Sequence, residues 1–303
     1  MGLMRVALLS IILLAPAVAV AQSMDPRAYA NLPVGLNFLL AGYAYSEGEL
    51  GFDASSPLQD GHTRVHALPV GYVRSLDVFG NAGNIALFVP FVDLTATASL
   101  NGTTEARREV SGLGDPMLRL AVNFYGAPAR RPAEYAAWRQ DLIVGASLAV
   151  TAPFGQYDKD RLANIGSNRW SVKPELGMSQ ALGAWTVELA AGVTWFTRND
   201  EYFNGNTREQ DPLYSLQTHL TRQLGRRAWG AFSVTYFEGA RTSINGVEQG
   251  EKLGGTRLGL TFSLPVDQRN SIRLSAHGGL SPRAGSDFKG VAAIWQHVWA
   301  GGA

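Results

Sequence analysis

Apolar and polar residues alternate with a period of two in segment after segment from Gly35 to Trp299. Leu118, Leu120, Val122 and Phe124 share one parity, and Arg119, Ala121, Asn123 and Tyr125 share the other. Val172, Leu176 and Met178 alternate with Ser171, Lys173, Glu175 and Ser179, and Leu258, Leu260, Phe262 and Leu264 with Arg257, Gly259, Thr261 and Ser263. Successive side chains of a β-strand point to opposite faces, so each segment predicts a strand with one greasy and one wet face. Turn residues punctuate the pattern and give about twelve strands, near 35–46, 63–76, 84–99, 116–126, 141–153, 169–181, 185–198, 213–224, 228–240, 255–265, 271–281 and 287–299.

The connections differ in length. Val78–Gly83, Leu182–Ala184, Gly225–Arg227 and Val266–Asn270 are short; Gly48–Gly61, Asn101–Asp115, Gly155–Ser167, Asp200–Asp211, Thr242–Gly254 and Pro282–Ser286 form the other set, most of them long. Outer-membrane barrels have short periplasmic turns and longer outer loops, so this spacing puts both ends of the barrel in the periplasm. Ala127–Gln140 is the exception, a long connection on the short-turn side, with a candidate short helix over Pro132–Arg139. A two-layer sandwich also gives alternating strands, but its strands run to about five or six residues. These run from 11 to 16, as long as or longer than the roughly ten residues a tilted strand needs to cross the apolar band of a membrane. Trp170, Trp185, Trp195, Trp229, Trp295 and Trp299 gather near strand ends, where a barrel carries its interfacial aromatic girdles. The fold class expected is all-β: a single antiparallel up-and-down transmembrane β-barrel with short periplasmic turns and longer extracellular loops.

The first residues fit export. Arg5 precedes an apolar run from Val6 to Val20, and Ala19-Val20-Ala21 is an A-x-A cleavage pattern. The expected division is a signal peptide over 1–21, an N-terminal periplasmic segment over 22–34, the barrel over 35–299 and a C-terminal tail over 300–303. Composition then removes alternatives. The chain has no cysteine, which excludes a disulfide scaffold, thiolate metal sites and thiol catalysis. With 26 basic against 25 acidic residues and no basic run, no nucleic-acid partner is expected.

Several phrases carry a resemblance: Ser111-Gly112-Leu113-Gly114-Asp115-Pro116, Thr151-Ala152-Pro153-Phe154-Gly155-Gln156-Tyr157, Asn164-Ile165-Gly166-Ser167-Asn168-Arg169-Trp170 and Lys173-Pro174-Glu175-Leu176-Gly177. In order and spacing they resemble the outer-membrane proteins of the phenol-degradation meta-pathway family. The resemblance implies a barrel in the bacterial outer membrane, transporter-like, associated with uptake of aromatic compounds, and no catalytic residues come with it. Its expected partners are outer-membrane lipid, a small hydrophobic or aromatic solute and the barrel-assembly machinery; no cofactor is expected. The function expected is a channel for passive uptake of such solutes. The alternatives are a closed barrel working through its outer loops and, third, an outer-membrane hydrolase. One departure is the tail Ala300-Gly301-Gly302-Ala303, which follows the aromatic spacing of Trp295 and Trp299 where such barrels usually end on an aromatic residue.

A charge on the lipid face at midplane costs ~2–4 kcal/mol, so polar residues in the strands are assigned to the lumen. They are Arg64, His66, Arg119, Asn123, Arg169, Lys173, Glu175, Glu188, Gln217, His219, Arg257, Arg273 and His277. They could select permeants as a charged constriction, or pair with one another and close the barrel. Tyr43, Tyr45, Tyr125 and Phe196 suit either a greasy slide or the interfacial girdles. Ser275 with His277 and Ser215 with His219 are the candidate nucleophile pairs, without an orienting third group. His62 and His66 lie too far apart along a strand, ~13 Å, to share a metal ion. Gly112-Leu113-Gly114-Asp115 lacks the strand–loop–helix setting of a phosphate loop and reads as a bend at the outer rim.

Overall fold

The computed structural model describes residues 24–50, 58–100, 104–135, 137–225, 227–250, 252–280 and 288–300. The expected signal peptide and the last three residues of the expected tail lie outside them, as do parts of four outer loops. Seventeen strands follow in order: β1 (Leu36–Leu50), β2 (Leu58–Val78), β3 (Asn81–Leu100), β4 (Thr104–Leu113), β5 (Met117–Tyr125), β6 (Leu142–Thr151), β7 (Ser171–Leu182), β8 (Trp185–Phe196), β9 (Asn199–Tyr202), β10 (Asn206–Gln210), β11 (Leu213–Gln223), β12 (Trp229–Gly239), β13 (Thr242–Ile244), β14 (Val247–Gln249), β15 (Leu253–Pro265), β16 (Asn270–Gly279) and β17 (Phe288–Ala300). One helical turn, α1 (Pro132–Tyr135), stands between β5 and β6.

The sheet closes. β1 bonds β17 from Leu36↔Ala300 to Gly48↔Phe288 and bonds β2 along its other edge. Antiparallel pairing then runs through β3, β5, β6, β7, β8, β11, β12, β15 and β16 back to β17. β4 and β5 form one interrupted wall strand: β4 pairs the upper half of β3 (Phe91–Leu100) and β5 the lower half (Gly83–Phe88). Counted so, the barrel has twelve strands, and each expected span overlaps one of them. The break falls at Gly114-Asp115-Pro116, where proline has no N–H to give the ladder and the Gly114 amide donates to the Pro90 carbonyl at 2.8 Å. β9, β10, β13 and β14 make a separate small sheet from the outer loops.

Burial is inverted relative to a soluble protein. Leu118, Leu120 and Phe124 on β5, Leu216 and Leu220 on β11, and Leu260, Phe262 and Leu264 on β15 are exposed. Their alternate neighbours Asn123, Gln217, His219, Arg257, Thr261 and Ser263 are buried. The apolar face is therefore outside, where lipid takes the place of a core, and the wet face lines the barrel. At the periplasmic end, β2 and β3 join through Phe79 and Gly80, both at positive φ (52° and 83°), the backbone of a tight hairpin turn.

The structure corrects the expectation for residues 22–34. The described part of that segment does not lie in the periplasm. It enters the barrel from the periplasmic end and fills part of the lumen. Tyr29 is 1 % exposed, and its hydroxyl donates to Glu175 Oε1 at 3.0 Å on β7. Asn123 Nδ2 on β5 donates to the Tyr29 carbonyl at 3.3 Å. Room for the ring comes from two glycines: a Cβ on Gly177 would stand 2.0 Å from it, and one on Gly145 2.9 Å. A sequence whose strands are too polar inside to pack on one another thus fills its barrel with its own N-terminal chain.

The irregular periplasmic connection has a role in this arrangement. From it, Arg130 accepts the Val34 amide at 2.9 Å, and the Tyr135 hydroxyl donates to the Asn31 carbonyl at 2.8 Å. Trp138 packs on the small apolar cluster of Ala82, Ala127 and Ile143. The connection is long because it clasps the segment where it turns into the lumen. Of the helix expected over Pro132–Arg139, Pro132–Tyr135 is helical among the described residues.

Candidate functional site

The site is the lumen and its two ends. Eleven of the residues assigned inward from the sequence lie on the inner face of the barrel or in its outer mouth: Arg119, Asn123, Arg169, Lys173, Glu175, Glu188, Gln217, His219, Arg257, Arg273 and His277. Arg64 and His66 do not. They share the face of β2 that carries Leu68, Val70 and Tyr72, all exposed, and so point outward. The reason is height. β2 has 21 residues, about twice what the apolar band requires. Its upper residues stand above the hydrocarbon, where an outward charge is hydrated. There the Tyr43 hydroxyl bonds His66 Nδ1 at 2.7 Å, and Lys289 pairs with Glu47 at 2.9 Å.

The inward charges do not form one constriction ring. Lys173 Nζ meets Glu175 Oε2 at 2.8 Å on the same strand, and Gln217 Nε2 donates to that carboxylate at 3.3 Å. Glu188, opposite Ser179, accepts the backbone N–H of Arg27 at 2.5 Å. Arg273 pairs with Asp25 at 3.1 Å. Arg119 lies over the Tyr29 ring, with 5.8 Å to its centroid. Glu175, Glu188, Arg273 and Arg119 thus hold the N-terminal segment.

Trp229 departs from the girdle expectation. It is buried and inward, with Arg27 and Arg273 over its ring at 5.5 and 5.4 Å. Trp295 and Trp299 are on the outer face at the periplasmic end, interleaved with His297 in a stack with 5.8 Å between successive rings. Tyr43 and Tyr125 are exposed outside, whereas Phe196 turns in and packs against Leu213, Phe237, Ala240 and Leu253.

The opposite wall is mostly apolar within, with Thr63, Ser75, Asn84 and Gln296 as polar exceptions. The register places Val298, Ile294 and Ala292 of β17 beside Phe38, Gly42 and Ala44 of β1. It places Val65, Ala67, Pro69 and Val73 of β2 beside Leu94, Val92, Pro90 and Ala86 of β3. The alternate residues Leu39, Leu68, Val70, Leu87 and Phe91 are exposed to lipid, so this set faces the lumen. Both faces of these strands are largely greasy, and within the barrel Met24, Asp25, Arg27 and Tyr29 make their contacts on the other wall.

At the outer mouth, three of the phrases that carry the family resemblance meet. The Asp115 carboxylate accepts the Gly155 amide at 2.8 Å, and the Ser167 amide and hydroxyl at 2.8 and 2.6 Å. A Cβ on Gly155 would come within 2.7 Å of the Asp115 amide, and one on Gly166 within 2.7 Å of the Gly155 carbonyl oxygen. The bend read at Gly112–Asp115 is thus a clasp that folds the 152–170 loop over the rim. From that loop Ala163 and Ile165 pack on Val92, Leu94 and Ala96 of β3.

The nucleophile candidates do not assemble. Ser215 Oγ donates to the Gly192 carbonyl at 3.4 Å. His219 bonds Ser233, its cross-strand neighbour, at 2.8 Å. Glu188 lies opposite His219 yet engages Arg27 instead, so the base has no orienting acid. Among the described residues no group of three or more His, Asp or Glu could hold a metal ion.

Sequence reasoning missed Tyr29 and its neighbours, which carry no alternation, and Arg208. Arg208 and Arg169 lie beneath the small outer sheet, each 4 % exposed. Burial first, and then the neighbouring Arg208, pulls Arg169 well below the ordinary arginine range.

Solved structures share this architecture. A crystal structure of an outer membrane channel from Pseudomonas putida F1 superposes with a TM-score of 0.77 at 20 % identity, over 91 % of this chain and 100 % of that one. The transport unit of the autotransporter AIDA-I from Escherichia coli aligns at 0.54 and 8 % identity, over 94 % and 96 % of the two chains. These likenesses establish the fold. No curated protein matches this sequence. The model of the family described as "Putative MetA-pathway of phenol degradation" matches residues 52–296, most of the barrel, and the chain belongs to that family.

Proposed function

We propose that the protein is an outer-membrane channel for passive uptake of small hydrophobic or aromatic compounds. The observation that carries this reading is the apolar inner wall of β17, β1, β2 and β3. Near the mouth Val65, Ala67, Val92 and Leu94 pack with Ala163 and Ile165 of the loop. Phe38, Ala44, Ile294 and Val298 belong to no such cluster among the described residues, and apolar side chains left facing a lumen suit solutes that leave water readily. Membership of a family named for phenol degradation and the fold of an outer membrane channel agree with it. A solute would enter at the outer mouth, follow the apolar wall and pass the N-terminal segment, which is held to the other side. Export and insertion would bring the chain to the barrel-assembly machinery, with the aromatic last strand as its signal.

The test is liposome swelling with the purified full-length protein, using toluene or phenol against a sugar of similar size. Faster swelling for the aromatic solutes is expected. Swelling with neither, together with silent planar bilayers, leaves a closed barrel that works through its outer loops.

A further inference from the structure

We propose that Arg169 and Arg208 form a binding site for the carboxylate of an aromatic acid at the outer mouth of the barrel. The inference rests on the channel reading and names a class of solute for it.

Two observations converge. The first is unbalanced charge. Neither guanidinium makes an ion pair among the described residues. Arg169 Nη1 and Arg208 Nε are buried with no hydrogen-bond partner. Arg169 reaches only the uncharged Gln210 Oε1 through Nη2. The carboxylate that attracts Arg169 is Asp115, but its two oxygens are already committed to Gly155 and Ser167. Buried charges in proteins are normally paired, as Lys173 is with Glu175 lower in the same lumen. Two unpaired guanidiniums side by side repel each other, and each presents a planar fork shaped for a carboxylate.

The second is the apolar setting. Arg169 lies over the Phe196 ring at 4.3 Å and Arg208 over the Tyr202 ring at 5.4 Å. Phe196 packs on Phe237 and its cluster, and the buried Arg257 lies over Phe237 at 5.8 Å. Cation and aromatic surface alternate from the mouth inward. An anion with a flat apolar body matches both, whereas an inorganic anion matches only the first.

The test is calorimetric titration of the detergent-solubilised full-length protein with benzoate, benzamide and inorganic phosphate. Saturable benzoate binding is expected, with benzamide and phosphate each at least about tenfold weaker. Arg208→Gln should weaken benzoate about ten- to a hundredfold, and Arg208→Lys less. Circular dichroism and heat-modifiable gel mobility check that the variants fold. Should Arg208→Gln not fold, chloride competition in the unaltered protein keeps the question decidable: benzoate affinity must fall as chloride rises. Benzoate no tighter than benzamide or phosphate overturns the proposal, as does an unchanged affinity in folded Arg208→Gln. Toluene-driven swelling of the unaltered protein, measured in parallel, separates the two readings. Its loss removes the channel and leaves the carboxylate site standing; its persistence without benzoate binding does the reverse.

Discussion

The wall made by β17, β1, β2 and β3 and the wall made by β5 to β16 belong to one barrel and meet the same lipid outside, yet their interiors are opposites. The second alternates along most of its length, with Leu216 and Leu220 outside and Gln217 and His219 inside, and with Ile143, Leu213 and Phe237 as inward apolar exceptions. Some of its inner polar groups are held by the N-terminal chain, through Tyr29 on Glu175, Arg27 on Glu188 and Asp25 on Arg273. The first wall has few such groups, among them Thr63, Ser75, Asn84 and Gln296, and of these Ser75 donates to the Pro33 carbonyl at 2.6 Å. Phe38, Ala44, Val73 and Ile294 offer the lumen apolar surface, to which a polar peptide has no reason to bind. On the proposed channel reading, a plug that takes the wet side leaves the greasy side as the path, and the asymmetry is what keeps a route for one class of solute in a filled barrel.

Removing the plug tests this most severely. Deletion of Asp25–Asn31 leaves the polar wall hydrated and the apolar wall unchanged. Single-channel conductance should rise severalfold, and swelling should lose its preference for aromatic solutes over sugars. A conductance equal to that of the intact chain would mean that the segment does not stand in the path. Gly177→Val makes the same point without shortening the chain, because its side chain occupies the place of the Tyr29 ring. It should cost about 1–3 kcal/mol through overpacking and raise conductance like the deletion. Adding Tyr29→Ala should recover part of that stability but not the low conductance.

The apolar wall is tested by making it polar. Ala44→Asp sets a carboxylate on the inner face of β1, between Ala292 and Ala67. Aromatic flux should fall about tenfold, the ratio that ~1.4 kcal/mol of lost apolar contact and added polar barrier would give. Conductance of small ions should hold or increase. An unchanged aromatic flux would place the path elsewhere than along this wall.

The two walls also differ in how far the sequence discloses them. From β5 onward, alternation reveals strand, face and occupant together, and Asn123, Glu188, Gln217, His219 and Arg257 lie buried inside. In β1 to β3 the signal fades because both parities are apolar: Phe38 and Leu40 turn in while Leu39 and Tyr43 turn out. Polarity is then left only at strand ends, where Arg64 and His66 stand above the hydrocarbon and the lipid-cost argument loses its force. Tyr29 and Arg208 belong to no alternating strand of the wall. What fixes them is tertiary: two glycines opposite a ring, and a loop sheet folded over the mouth. The clasp at Asp115 was visible as a run of turn residues, but its partners lie 40 and 52 residues onward and only the fold brings them together.

The smallest effect is expected at Arg64, and it decides which way the upper part of β2 faces. Arg64→Gln should leave aromatic flux unaltered and change stability by less than about 0.5 kcal/mol, as an exposed side chain away from any buried network does. The chain has no cysteine, so single substitutions can be labelled without background. Arg64→Cys should react on intact cells with a maleimide too bulky to enter a barrel. Val65→Cys, its neighbour of the other parity, should react only with a small reagent. Equal labelling of both by the bulky reagent would mean that this part of β2 is not wall at all, and a reversed order would turn Arg64 back into the lumen and add a charge to a lining that is otherwise mostly apolar in β1 to β3.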